Sequence, residues 1–259
     1  MKYLFFFAVL TIGLFCSSCQ RQLPPSRITS EKGVKQVVVC LAPNENINGA
    51  VLRVFNWDEK KGWQSQSDYI KVRIGRNGLG WGKGLHPENF NTSPLKKEGD
   101  GKAPQGIFSL TQVFGYSEKP AAACKMPYLN ATNSTLCIDD VNDIHYGKII
   151  DTKTTPSSDK SHELMRRSDS LYLFGIVVDY NQSAVEKGAG SCIFLHIKTA
   201  DNQPTSGCTA MSRAELLSVI AVLDPAKKPV LLQCSLANYP ALATYYGLPA
   251  DWNLLTINK

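Results

Sequence analysis

The pair of side chains best suited to chemistry in this chain is a histidine and a cysteine. His196 lies in Cys192-Ile193-Phe194-Leu195-His196-Ile197, an apolar run that reads as a buried strand, and Cys208 follows twelve positions later in Thr205-Ser206-Gly207-Cys208-Thr209. A thiol of pKa about 8.5 becomes an effective nucleophile near neutral pH when an imidazole takes its proton. The chemistry on offer is acyl transfer through a thioester. Gly207 lets the backbone turn sharply, so that N–H groups at Gly207 and Cys208 would face the oxyanion of a tetrahedral intermediate. Ser206 and Thr209 add hydroxyl donors, and Arg213 either meets a substrate carboxylate or sits on the surface of a first helical turn. Both key residues also have a plainer reading: a core histidine with its hydrogen bonds satisfied, and a cysteine that is half of a disulfide. Polar neighbours on both sides of Cys208 favour a site that solvent reaches.

Other motifs fail on spacing. The glycine-rich run from Gly75 to Gly84 is not a phosphate loop, because Asn77 stands where the first glycine belongs and Gly84 where Ser or Thr must follow Lys83. His162-Glu163 would need a second histidine where Arg166 stands, and Val141 and Ile144 interrupt the acidic cluster Asp139, Asp140, Asp143. No Gly-x-Ser-x-Gly elbow occurs. Neither a metal nor another cofactor is expected.

The elements that must position the pair are mostly strands. Runs at 34–41, 50–57, 69–74, 106–110, 171–180, 192–198 and 229–234 are β-branched or alternating and bounded by turn residues. One helix is well marked: Ser212 and Glu215 form a capping-box pair, Leu216, Val219, Ile220 and Leu223 share a face, and Asp224-Pro225 ends it. A shorter helix is expected at 241–246, and the stretch 115–165 reads as irregular. The expectation is a single mainly β domain over 34–259.

Composition sets the outer limits. With 259 residues, 43% hydrophobic and 19% charged, and only 19 Gly and 14 Pro, the chain is globular rather than disordered or collagen-like. Its net charge of +6 is spread thinly, without a basic block, so nucleic acid is not an expected partner. Residues 1–18 read as a signal peptide: Lys2 precedes an apolar run at 4–15, too short to span a membrane. Ser17-Ser18-Cys19 resembles a lipobox, with Cys16 where that motif usually has Leu; lipidated Cys19 would attach the chain to a membrane. Residues 19–33, with Pro24-Pro25, read as a tether. Localisation to a bacterial periplasm or envelope follows, as a monomer. Six of the eight cysteines fall in the folded part. The expected bridge is Cys124–Cys137, Cys192 and Cys234 are core thiols or a bridge, and Cys208 must be free.

His196 followed by Thr205-Ser206-Gly207-Cys208 resembles the signature of L,D-transpeptidases of the YkuD type, an upstream His and then [Ser/Thr]-x-Gly-Cys. Lys97-Glu98-Gly99-Asp100-Gly101-Lys102-Ala103-Pro104-Gln105-Gly106-Ile107-Phe108 is similar to the family's Lys-x-Gly-Asp-Gly-x-(Thr/Ala)-Pro-x-Gly-x-Phe segment, and Arg76-Asn77-Gly78-Leu79-Gly80-Trp81-Gly82 to the glycine-rich strand end before it. The likeness runs from about residue 70 to 235. The spacing from His to Cys is shorter than usual, Ser206 stands where many members have His or Lys, and no Gly follows His196. The resemblance implies a β-sandwich or mixed-sheet domain with one marked helix after the nucleophile. It also implies Cys208 and His196 as catalytic residues on peptidoglycan stem peptides, with transfer to an amine, or to water in an L,D-carboxypeptidase. A wall-binding lipoprotein without turnover is the remaining alternative. Lys97 and Asp100 are expected to hold the loop beneath the site, and Trp81 and Tyr116 are candidates for stacking on sugars.

Overall fold

Strand β1 (Gln36–Ala42) has the sequence Gln-Val-Val-Val-Cys-Leu-Ala, with no polar alternation, and is buried along its whole length. Such a run fits a strand covered on both faces. In the computed structural model, which describes residues 26–249 apart from 93, 122, 158, 159 and 183, its residues go alternately to two cores. Val38 and Cys40 join one, while Val37, Val39 and Leu41 join the other.

Seven further strands complete the arrangement: β2 (Gly49–Asp58), β3 (Ile70–Arg73), β4 (Ala103–Gly115), β5 (Phe174–Asp179), β6 (Phe194–Ile197), β7 (Thr209–Met211) and β8 (Val230–Ser235). Among the described residues these eight pair in the order β1-β8-β4-β5-β6-β7-β3-β2, and β2 pairs back onto β1. The mixed sheet therefore closes into a barrel rather than leaving two free edges. Pairs β1–β8 and β6–β7 are parallel, and the other barrel pairs are antiparallel. Strands Leu79–Trp81 and Tyr128–Asn130 lie alongside β4, and Gly62–Ser65 extends β2.

Helix α2 (Arg213–Val222) begins where its capping box predicts. The Ser212 hydroxyl accepts from the Glu215 N–H (3.3 Å), and Glu215 Oε2 accepts from the Ser212 N–H (2.8 Å). Its Leu216, Val219 and Ile220 pack into the first core with Leu195 of β6 and Met211 of β7. Burying one such aliphatic side chain contributes about 1.5–3 kcal/mol, so α2 anchors the two strands that flank Cys208. Helix α3 (Tyr239–Tyr246) covers the second core with Tyr239, Leu242 and Tyr246.

Two expectations change. Residues Arg27–Lys32, within the expected tether, form helix α1, whose Ile28 is 1% exposed in the second core and whose Arg27 guanidinium lies 3.9 Å from the Tyr245 ring centre. The signal segment 1–18, Cys19 and the first part of the tether lie outside the described residues. The stretch expected as irregular carries a small sheet, His162–Leu164 with Thr135–Ile138 and Ile149–Asp151. Its strands are three or four residues long, too short to show a period. Among the described residues no helix is long and apolar enough to cross a membrane.

Candidate active site

Parallel pairing of β6 with β7 sets Leu195 opposite Thr209 and His196 opposite Ala210. Side chains alternate along a strand, so Cys208, two residues before Ala210, falls on the His196 face of the sheet. Thr209 falls on the other. Both Cys208 and His196 line one cleft of about 200 Å³, together with Glu163, Arg167, Tyr172, Thr199, Gln203 and Ser206.

The turn before Cys208 is fixed from two sides. Thr205 bonds Ile74 and Arg76 through its backbone (3.0 and 2.8 Å), and its hydroxyl donates to the Cys208 carbonyl (2.6 Å). The same hydroxyl accepts from the Gly207 N–H (3.1 Å), and Arg76 Nη1 donates to Ser206 Oγ (3.0 Å). Gly75 lies so close to the 101–103 backbone that an added Cβ would sit 2.5 Å from the Gly101 carbonyl oxygen. That explains why a glycine stands there. Asp100 organises this neighbouring loop, accepting from the buried Lys96 ammonium (2.8 Å) and from the N–H groups of Lys97 (2.7 Å) and Lys102 (2.8 Å). Asp100 thus holds the loop as expected, but the cation is Lys96, and Lys97 takes part through its backbone.

Cys208 is a free thiol, 7% exposed. It donates to the Cys192 carbonyl (3.6 Å) and accepts from the Phe194 N–H (3.4 Å). Burial pushes its pKa up to about 12, with Glu163 adding to the rise and the Phe194 N–H and Tyr172 hydroxyl opposing it. His196, also 7% exposed, places Nδ1 2.8 Å from the Ile197 carbonyl. A carbonyl only accepts, so Nδ1 carries the proton and Nε2 keeps a lone pair. Burial lowers the imidazole pKa to about 4. Near neutrality both groups are therefore uncharged: a protonated thiol beside an imidazole in the tautomer that can accept its proton. No hydrogen bond joins the two side chains in this structure.

The disulfide is Cys137–Cys192, not the expected Cys124–Cys137. It ties strand Thr135–Ile138 to the residues just before β6. Cys124 instead sits half-buried with its thiol 3.7 Å from the Met126 carbonyl, and Cys234 is a buried free thiol. Within one chain a bridge depends on where the backbone brings two Cβ atoms, and proximity in sequence was a poor guide to that.

The remaining expected site residues divide. Ser206 lines the cleft. The Gly207 N–H is taken by Thr205, which leaves the Cys208 N–H as the candidate oxyanion donor. Thr209, 1% exposed, donates instead to Gln233 Oε1 (2.7 Å) on the far side of the sheet. Arg213 lies over the Phe174 ring and lines a different cavity. Trp81 is 4% exposed and unable to offer a face to a sugar, and the Tyr116 hydroxyl is bonded to the Arg167 backbone (2.8 and 3.2 Å).

Sequence reasoning missed Tyr172 and Glu163. Tyr172 packs edge-on to His196, ring centres 5.2 Å apart, and donates its hydroxyl to Glu163 Oε2 (2.5 Å). Glu163 carries a pKa raised chiefly by burial. Neither belongs to a short motif; Glu163 lies on a strand, His162–Leu164, of three residues. A second groove of about 470 Å³ carries Lys71, Arg73 and Lys198 but no nucleophile. No group of three or more His, Cys, Asp or Glu side chains suited to a metal occurs among the described residues. No family model matches the chain, and no curated protein matches it either.

Proposed function

We propose that the protein is a cysteine acyltransferase of the L,D-transpeptidase type, acting on peptidoglycan stem peptides in the cell envelope. The observation that carries the reading is the shared cleft: an unpaired Cys208 thiol directly before β7 and a His196 imidazole protonated on Nδ1 on the parallel neighbour β6. The Cys137–Cys192 disulfide fits an oxidising compartment and supports export. The order of Gly-rich turn, Asp100 loop, His196 and Cys208 supports the family assignment.

In this reading Cys208 Sγ attacks the carbonyl carbon of the third stem residue while His196 Nε2 takes the thiol proton. The C–N bond to the terminal D-alanine then breaks, and His196 gives the proton to the departing amine. The product is a thioester on Cys208. Because thiol and imidazole are both neutral in the empty cleft, proton transfer accompanies attack rather than preceding it. The Cys208 N–H stabilises the tetrahedral oxyanion, a role worth about 3 kcal/mol per donor.

The test is incubation of the protein with a disaccharide tetrapeptide, followed by mass analysis beside the Cys208→Ala variant. Expected are a covalent adduct on Cys208, release of D-alanine, and linked dimers. A chain that leaves the stems unchanged, or that acts equally well without Cys208, contradicts the proposal.

A further inference from the structure

The cleft holds a carboxylate that the acylation half of the reaction does not use. Glu163 is the register partner of Cys137 on the small sheet, and Cys137 is bonded to Cys192, whose carbonyl accepts the Cys208 thiol. The disulfide thereby fixes the carboxylate relative to the nucleophile. Tyr172 donates to Glu163 Oε2, while Oε1 has no protein donor among the described residues. Among the described residues no lysine or arginine forms an ion pair with Glu163. The nearby Arg167 is instead held by Asp169 through three contacts of 2.9, 3.1 and 2.5 Å and lies over the Tyr172 ring at 5.2 Å. A half-buried carboxylate without a cation is costly to keep ionised. A ligand cation would relieve that cost.

Resting on the acyl-transfer reading above, we infer that Glu163 binds the ammonium group of the acyl acceptor and removes its first proton. Proton counting supports an amine over water. Water attacking a thioester needs one base, and His196 supplies it. An amine arrives as R-NH₃⁺ and must lose two protons to become an amide N–H. Glu163 takes the first, becoming the neutral acid. The freed lone pair attacks the thioester carbonyl, the C–S bond breaks, and His196 carries the second proton from nitrogen to the Cys208 sulfur. The balance is R-NH₃⁺, thioester and carboxylate going to amide, thiol and carboxylic acid, with no further reactant. Burial raises the Glu163 pKa and makes it a better base, with Asp139 and Glu98 adding to the rise and Tyr172 and Arg167 opposing it.

The test compares wild type, Glu163→Gln and Glu163→Asp, with disaccharide tetrapeptide as donor and glycinamide or a second muropeptide as acceptor. Formation of the Cys208 thioester is measured separately in each variant, and the ratio of amide product to hydrolysis from the thioester so formed is expected to fall about a hundredfold in Glu163→Gln. Glu163→Asp should recover part of the loss. An amine of pKa low enough to be unprotonated at the assay pH should be accepted equally by wild type and Glu163→Gln, a pattern that a merely structural role does not produce. An unchanged transfer ratio in a folded Glu163→Gln protein overturns the inference and leaves the acyl-enzyme reading standing. So does wild-type protein that forms the thioester but only hydrolyses it. Wild-type protein that forms no Cys208 adduct overturns both.

Discussion

The Cys208 thiol donates to the carbonyl of Cys192, 3.6 Å away, and Cys192 is itself bonded to Cys137. The thiol therefore rests against one end of a disulfide. It also shares a small core with both bridge cysteines, Phe114, Tyr172 and Phe194. Peptide mapping after alkylation under non-reducing conditions should find Cys137 and Cys192 joined, and Cys40, Cys124, Cys208 and Cys234 alkylated after denaturation. A Cys124–Cys137 peptide, or Cys208 in any bridge of the folded protein, contradicts the arrangement.

Removing that bridge should weaken the site as well as the fold. It closes a loop of 55 residues, and the chain-entropy account assigns such a closure about 4 kcal/mol. Cys137→Ala/Cys192→Ala is expected to lose stability of that order in denaturant titration. If the proposed acylation occurs, its rate should fall further than stability alone explains, because the Cys192 carbonyl that accepts the thiol is no longer held.

His196 gives a stability signature independent of activity. Its folded pKa is depressed to about 4 from the ordinary 6.5, so the unfolded chain binds the extra proton first as pH falls. The stability due to neutral His196 is complete above 6.5 and is lost as pH falls toward 4, amounting to about 3 kcal/mol. Unfolding free energies measured across this window should show the slope in wild type, and His196→Gln should flatten it.

The same neutrality predicts the behaviour of the thiol. With burial holding Cys208 up at about 12 and no bond to His196, the empty cleft contains no thiolate–imidazolium pair. The thiolate absorbance difference between wild type and Cys208→Ser should show no step below pH 8. Iodoacetamide should modify Cys208 at nearly the same neutral-pH rate in His196→Gln as in wild type. In the proposed mechanism the base is needed only during attack, so acylation by a stem peptide should still fall by about 10²–10⁴ in that variant.

How far the sequence reveals the site depends on the range of each interaction. Helix α2 is legible because Ser212 and Glu215, its cap, lie within one turn. The run at 192–198 names β6, but the polar turn before Cys208 suggests an open thiol, whereas Cys208 is only 7% exposed at the floor of its cleft. By contrast, β4 runs from Ala103 to Gly115, well beyond the expected 106–110, because the polar Thr111 and Gln112 interrupt its apolar pattern. Barrel closure depends on β2 pairing back onto β1 while β8, far along the chain, takes the other edge. Glu163 reaches the cleft through the small sheet and the disulfide, and Tyr172, just before β5, through packing on Phe194 and His196; none of these contacts leaves a local periodic signal.

Thr209 and Arg213 provide the sharpest contrast between sequence neighbourhood and spatial role. Thr209 directly follows Cys208, yet its hydroxyl donates to buried Gln233, whose amide in turn donates to the Pro104 carbonyl (2.9 Å). Thr209→Val keeps the shape but leaves the Gln233 oxygen without its donor, at a cost of about 1–3 kcal/mol. Arg213→Ala removes a cation that lies over Phe174, outside the Cys208 cleft. Both variants should form the Cys208 thioester at rates within about threefold of wild type at temperatures where they remain folded, and only Thr209→Val should show a lowered unfolding midpoint. A large loss of acylation in Thr209→Val at full folding would return that hydroxyl to the oxyanion site, against its observed bond to Gln233. The same loss in Arg213→Ala would mean that the substrate extends beyond the cleft to reach the start of α2.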